Sequence, residues 1–358
     1  MIKTKKWLGI IGLLIMLVLM GSVIHGDVAD AAREIVKLDY WAGPFGGTNY
    51  VTGFALLDTM NKTHPWLRAS LVETKGSWDN ALHMGENKAR KPYSWCMTDY
   101  GTFTMSMTGF GKQMKGKKSV PKGDRKLLCT VMHAGNMVVT TDPKIKTGKD
   151  LKGKRMSGWT AGSGAWTTLE MMFKMWGISF DELKSYDGMK PKASCDALRD
   201  GLVDAIHLSE PYNPDNPNLT TGHFAELIAS GKRIYRVPMP KEKYEPIAKE
   251  YLAIGAYPHL WKNLASGHWV KDWPGGGLNV VVGVFWVFKE MPEELQYELA
   301  KTLIEKNDMV VAHGAQAALM VPSVLIGGLP IESEDEMAPG ALKYYKESGV
   351  WDKYWKKK

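Results

Sequence analysis

The sequence predicts a two-lobed α/β protein with mainly parallel sheets, on three observations. Short β-branched and aromatic runs alternate with helical patterns along the chain, as β-α units feeding a parallel sheet do. At 358 residues, with 44% hydrophobic and 23% charged residues, the chain is long enough for two domains and ordinary in composition for a folded protein. Two uninterrupted apolar strands, near 135–140 and near 280–288, suit the crossings between lobes. They divide the chain into a discontinuous first lobe, 33–138 with 282–358, and a second lobe, 139–281.

Residues 1–31 are read as a signal peptide. Lys3, Lys5 and Lys6 precede an uncharged stretch from Trp7 to His25, and Ala29-Asp30-Ala31-Ala32 supplies the small residues of a cleavage site. The alternative is an uncleaved anchor, because the stretch lies near the lower limit of about 17 residues for a membrane span. Export bounds the rest. A net charge of +8 invites a nucleic-acid reading, but an exported protein meets none, and the basic clusters at Lys112–Lys118, Lys144–Arg155 and Lys356–Lys358 are scattered. Cys96, Cys129 and Cys195 cannot all pair within the chain, so buried free thiols are expected, with a Cys96–Cys129 bridge as the alternative.

The elements follow in order. IVKLDYWAG is a strand, YVTGFALLDTMNK an amphipathic helix, RASLVE a strand, SWDNALHMGENKAR a helix and YSWCMTD a third strand. The segment Gly109–Gly123 reads as a surface loop. KLLCTVM and NMVVTTDP are two strands, the second stopped at Asp142-Pro143. LKGKRMSGW opens into the helix of TAGSGAWTTLEMMFKMWG, ended by Gly177. CDALRDG with VDAIHL gives a helix and a strand, NVVVGVFWVF a long apolar strand, and PEELQYELAKTLIEKND and ALKYYKESG close the chain as helices.

Three Gly-rich turns share one position, between a strand end and a helix start: Gly43-Pro44-Phe45-Gly46-Gly47-Thr48, Lys75-Gly76-Ser77 and Ala161-Gly162-Ser163-Gly164-Ala165. Free backbone N–H groups and the positive end of the helix dipole meet there, which suits a carboxylate or another anion. Gly admits the ligand to the main chain, and the hydroxyls of Thr48, Ser77 and Ser163 add donors. In open α/β sheets, ligands bind beyond the carboxyl ends of strands, where these turns lie.

Other chemistries are weaker. GKQMKGKK approaches a phosphate loop, but Lys118 stands where Ser or Thr should hold the metal, so no nucleotide or other cofactor is expected. His207, His223, His259 and His268 fall in no ligand-spaced pair, so no metal is expected. Cys96 with Asp99, or Ser209 with Glu210 and His207, can be drawn as catalytic groups, yet sequence neighbours rarely meet in that geometry. Among 14 Trp, four flank the turns: Trp41, Trp78, Trp159 and Trp166. They either pack the cores or line the cleft against an apolar ligand body.

GPFGGTNY, ETKGSWDN, TDY, DLKGKRMSGWTAGSGAWTTLE, GLVDAI, EELQYELAKTLIE, GLPI and PGALKYYKESG together resemble the TAXI family of TRAP transporter receptors, from about residue 36 to 350. The resemblance implies a periplasmic binding protein type II-like fold, two α/β lobes joined by hinge strands with a ligand cleft between them. It implies a non-catalytic, monomeric periplasmic receptor for a small anionic ligand, carboxylates such as glutamate or 2-oxoglutarate in relatives, and TRAP membrane subunits as partners. Ligand contacts would fall on Gly46, Gly47, Thr48, Tyr50, Gly76, Ser77, Asp99, Ser163 and Gly164, with Trp78, Ala165 and Trp166 beside them. The chain departs from that family at Lys75, Trp78 and Ala165, which add a cation and bulk and remove a hydroxyl. A receptor of the same fold serving an ABC importer or a sensor is the alternative, and then a periplasmic enzyme on this scaffold.

Overall fold

The structure is a computed structural model. It describes residues 34–240 and 279–355 with 243 and 247, apart from 44, 46, 110–113, 122, 161–163, 213–219 and 332. The signal peptide therefore lies outside the described residues. No helix among the described residues is long and apolar enough to cross a membrane.

Among the described residues, nine strands form one sheet. They are β1 (Val36–Trp41), β2 (Leu67–Val72), β3 (Ser94–Asp99), β4 (Arg125–Thr140), β5 (Arg155–Gly158), β6 (Ser185–Gly188), β7 (Ala205–Tyr212), β8 (Tyr235–Val237) and β9 (Asn279–Phe288). Their order is β2-β1-β3-β9-β4-β7-β5-β6, with β8 also on β4. The helices are α1 (Thr48–Thr63), α2 (Ser77–His83), α3 (Tyr100–Thr108), α4 (Gly164–Trp176), α5 (Pro191–Arg199), α6 (Gly222–Ala229), α7 (Glu293–Glu305), α8 (Asn307–Val311), α9 (Pro322–Leu325), α10 (Pro339–Glu347) and α11 (Val350–Tyr354). The mixed α/β class predicted from the alternation is the one observed.

Strand direction decides what this sheet can do. β1, β2 and β3 are mutually parallel, and β9 runs antiparallel to β3 and to β4. β4 therefore points the same way as β1–β3. β7 opposes β4, while β5 and β6 run parallel to β7. The two parallel groups thus point toward each other, so their carboxyl edges, and the turns leading into α1, α2, α3 and α4, face one another across β4 and β9.

Several local expectations are revised. KLLCTVM and NMVVTTDP are not two strands: β4 runs unbroken through His133-Ala134-Gly135, because β9 holds one end of it and β7 the other. Register shifts at Leu127/Cys129 and Thr130/Met132 absorb the twist of so long a strand. The helix predicted over SWDNALHMGENKAR ends at His83; turns follow, then a short 3₁₀ segment at Lys91–Tyr93. Gly85 stands just past that end, where a Cβ would lie 2.9 Å from the Phe288 ring. Only Arg155–Gly158 of LKGKRMSGW is strand, since Gly148–Leu151 winds into a 3₁₀ turn closed by a Thr147–Asp150 capping box. In the Gly109–Gly123 segment Met114 is buried rather than part of a surface loop.

Two apolar clusters hold the sheet, each buried side chain contributing about 1.5–3 kcal/mol. The larger packs Leu38, Tyr40, Leu56, Trp95, Phe285 and Trp286 with Leu299, Tyr345 and, farther along, Ile206 and Phe224. The smaller gathers Met156, Leu169, Met172, Phe173 and Trp176 with Met105 and Met114. Gly53 lets α1 lie directly on β1, since a Cβ there would overlap the Tyr40 ring at 1.8 Å. All three cysteines are buried free thiols, so Cys96 and Cys129 are not bridged.

Candidate functional site

The site begins where β1, β2 and β3 end. Asp99, the last residue of β3, pairs with Gly283 of β9, which pairs with Met132 of β4. Tyr212, the last residue of β7, pairs with His133. The ends of β3 and β7 therefore meet at adjacent rungs of β4. β5 stops earlier: Ser157 aligns with Ile206, placing Gly158 level with His207 and with Val138 of β4. Val138 is six residues beyond Met132, so the carboxyl edges of β3 and β5 stand about 20 Å apart along the sheet, at roughly 3.4 Å per residue. Gly43, Gly47 and Gly76 follow the ends of β1 and β2 on one side of that gap, and α4 opens at Gly164 on the other.

Two of the three turns touch. A Cβ on Gly43 would sit 3.4 Å from Asn49 Cβ and 3.7 Å from Gly76 Cα. Gly76 adopts φ 118° and ψ −160°, a region closed to residues with a Cβ, which is why glycine stands there. Asn49, in the first turn of α1, donates from Nδ2 to Ser77 Oγ at 3.3 Å and to the Met97 carbonyl at 3.2 Å. Asn80 is fully buried; its Nδ2 donates to the Trp41 carbonyl at 3.0 Å, and its Oδ1 accepts from Thr74 Oγ1 at 2.6 Å. Thr74 Oγ1 also contacts the Ala42 carbonyl. Three strand ends are stitched into one platform by side chains that the sequence reading passed over. The available signal was an Asn in the first helical turn after each of these two glycine turns.

The N-cap of α1 is Gly47, which has no side chain to accept from the amide N–H groups at the start of that helix. Thr48 opens that helix. Tyr50 packs edge-on against Phe45 at 5.1 Å, and Phe45, 74% exposed, donates its backbone N–H to Glu73 at 2.9 Å. Asp99 has a different place from the ligand contact expected of it. Its two carboxylate oxygens take the Thr102 N–H and Oγ1, each at 2.7 Å, capping α3. Burial pushes its pKa above the usual carboxylate range, against the hydrogen bonds from Thr102 and Ser77. An acid so engaged positions Ser77 and α3.

Across the gap, β5 leads into α4. Gly46 and Ser163 lie outside the described residues; Gly164 opens α4, and Ala165 in its first turn accepts Thr168 Oγ1 at 2.7 Å. Trp166 stacks on Phe180 at 4.3 Å with planes 7° apart and meets Tyr186 edge-on at 5.0 Å, so its ring is committed to its own half of the fold. Trp78, on α2, packs against the smaller cluster, with Lys117 Nζ 6.0 Å from its ring. Lys75 is exposed beside the touching turns.

The catalytic drawings dissolve on alternation. In β7, His207 and Ser209 point to one face and Glu210 to the other; Cys96 and Asp99 likewise take opposite faces of β3. Glu210 instead anchors the start of α6, accepting from Thr220 Oγ1 at 2.6 Å, Thr221 Oγ1 at 2.6 Å and the Thr221 N–H at 3.0 Å. Burial pushes its pKa up to about 7. No group of three His, Cys, Asp or Glu side chains suited to a metal occurs among the described residues; His259 and His268 lie outside them.

The model of the NMT1-like family matches residues 41–349. The chain belongs to the NMT1-like family. Solved structures similar to this NMT1-like protein include the periplasmic aliphatic sulphonate binding protein SsuA from Escherichia coli, at 14% identity over 88% of this chain and 84% of that one, TM-score 0.40. MatC from Rhodopseudomonas palustris with bound malate matches at 9% identity over 89% and 98%, TM-score 0.48. A TctC solute binding protein from Polaromonas matches at 14% over 90% and 99%, TM-score 0.44.

Proposed function

We propose that this NMT1-like protein is an exported periplasmic receptor that captures a small anion, a carboxylate, between two lobes and delivers it to a TRAP-type permease. The observation that carries this reading is the opposed direction of the two parallel strand groups, which turns both sets of strand-to-helix turns into one gap. Uncapped N–H groups of α1 and the exposed Lys75 supply donors and positive charge, with the Ser77 hydroxyl held beside them by Asp99 and Asn49. Residues 33–138 with 282–358 would form one lobe and 139–281 the other, hinged at β4 and β9. Contacts made from both sides stabilise the closed state over the open one, and the permease responds to closure. The resemblance to TAXI receptors in GPFGGTNY, ETKGSWDN and the DLKGKR-to-GSG segment supports the permease type.

A thermal-shift screen against mono- and dicarboxylates tests it. A ligand that binds only the folded protein raises Tm, by about 2.7 kcal/mol of added stability at a hundred times its Kd. At least one carboxylate is expected to do so, without turnover. A panel in which only uncharged or cationic solutes raise Tm overturns the reading.

A further inference from the structure

One buried group in the far half of the sheet has a geometry that the fold does not use. His207 is 1% exposed, and neither ring nitrogen has a hydrogen-bond partner among the described residues. A buried imidazole with both nitrogens unsatisfied is a liability to the folded state, because water satisfied them in the unfolded chain. Its position is built rather than incidental. Gly158, level with it on β5, has no side chain to spare: a Cβ would lie 2.9 Å from His207 Cβ and 2.8 Å from Tyr186 Oη. Tyr186 Oη in turn donates to the Trp159 carbonyl at 2.8 Å, fixing the start of the turn that leads into α4.

The ring's direction follows from register. Val138 of β4 is the cross-strand partner of His207, and Met156 of β5 aligns with Ala205, so these four share one face of the sheet. Val138, Met156 and Ala205 all belong to the cluster that also contains Leu169, Met172 and Phe173 of α4. His207 therefore points to the side that α4 covers, at the carboxyl edge of β5, where α4 begins. Three more polar atoms on this strand-turn-helix segment are buried without partners among the described residues: Ser157 Oγ, on the opposite face of β5, Trp159 Nε1, and Thr167 Oγ1 in the first turn of α4. α4 is 13 residues long, so its first N–H groups carry the positive end of a full dipole.

We propose that His207 is a ligand-recognition residue, whose ring N–H donates to a carboxylate or keto oxygen of a small organic acid held at the start of α4, with Thr167 Oγ1 as a second contact. The proposal rests on the receptor reading above. Burial holds the pKa of His207 down at about 3, so the ring is neutral and offers one N–H and one lone pair. A neutral donor selects by hydrogen-bond geometry rather than by net charge.

The test combines stability, binding and ring spectroscopy on the full mature chain. His207→Leu removes both unpartnered nitrogens at similar volume, so the ligand-free Tm should hold or rise, while affinity for the best carboxylate of the thermal-shift panel should fall at least tenfold. His207→Gln, which restores a side-chain donor, should recover most of that loss. In histidine-labelled wild type, the His207 ring nitrogen signals should move on adding that acid. A Tm that drops by several degrees in His207→Leu with affinity unchanged identifies a structural histidine and overturns the proposal. The panel also contains sulfonates, amines and sugars. If one of these, and no carboxylate, stabilises the wild type, the carboxylate reading and the ligand class assigned to His207 both fail. If the wild type binds an acid but the ring signals stay still, as they would over a permanent buried water, only the His207 proposal fails.

Discussion

Asn49 Nδ2 lies 3.3 Å from Ser77 Oγ and 3.2 Å from the Met97 carbonyl, so one amide ties the first turns of α1 and α2 to the end of β3. Residues 49, 77 and 97 are far apart in the chain, and their junction sets the width of the platform on which Thr48, Tyr50 and Ser77 stand. Asn49→Ala leaves the Met97 carbonyl with one donor fewer and should destabilise the protein by about 1–2 kcal/mol. Urea denaturation reads that loss. Carboxylate affinity should fall as well, since the two turns are no longer held in register.

Gly76→Ala is expected to cost more than its size suggests. At φ 118° a Cβ is strained by about 1–3 kcal/mol wherever the side chain goes. Gly177 provides the control: its φ is 70°, with nothing within 4 Å of a Cβ, so Gly177→Ala should cost about 1 kcal/mol, the ordinary left-handed penalty. Only the Gly76 variant should also weaken ligand binding.

Trp166→Ala should remove about 3 kcal/mol of stability, the low end for a large aromatic that is half-buried, because Phe180 and Tyr186 lose their partner. Carboxylate affinity should stay within a few-fold of wild type. A large loss of affinity with little loss of stability would instead put the ring in the cleft.

Arg125 is an interior cation joined to several elements. Its guanidinium donates to Ser106 Oγ at 2.6 Å, contacts the Ala81 carbonyl and lies 4.4 Å from the centre of the Trp286 ring. Burial lowers its pKa to about 10. Arg125→Ala should cost about 2–4 kcal/mol by chemical denaturation, through the lost bonds to α2 and α3 and the lost ring contact. Lysine cannot span the same fork, so Arg125→Lys should recover less than half of it.

The pH dependence of stability should show two opposed slopes. Glu210 titrates at about 7 when folded, above its ordinary 4.5; the folded state binds the extra proton, so its contribution is full below pH 4.5 and lost as pH rises through 7. His207 is shifted from 6.5 to about 3; the unfolded state binds the extra proton, so its contribution is present above pH 6.5 and lost as pH falls toward 3. Between pH 4.5 and 6.5 the two oppose each other. Glu210→Gln should flatten Tm above pH 6 and leave the acid-side loss, while His207→Leu should do the reverse. Calorimetry from pH 4 to 8 distinguishes them.

The sequence by itself determined the local elements and their punctuation. Alternation and helical spacing marked β1, α1, β2, β3, β9, α7 and α10, and the glycines Gly43 and Gly76 fall between a strand and a helix as expected. Those features are short-range: a side chain's period along the chain depends on its own backbone geometry. Tertiary structure decided the rest. That β4 is one strand rather than two depends on β7 and β9 pairing with its opposite ends. That Trp166 stacks within its own half, whereas Asp99 caps α3, depends on Phe180 and Thr102 being in reach. That His207 has no partner among the described residues became visible only when β5 and α4 had closed over it, because hydrogen-bond satisfaction is a property of the three-dimensional neighbourhood, which residue order does not encode locally.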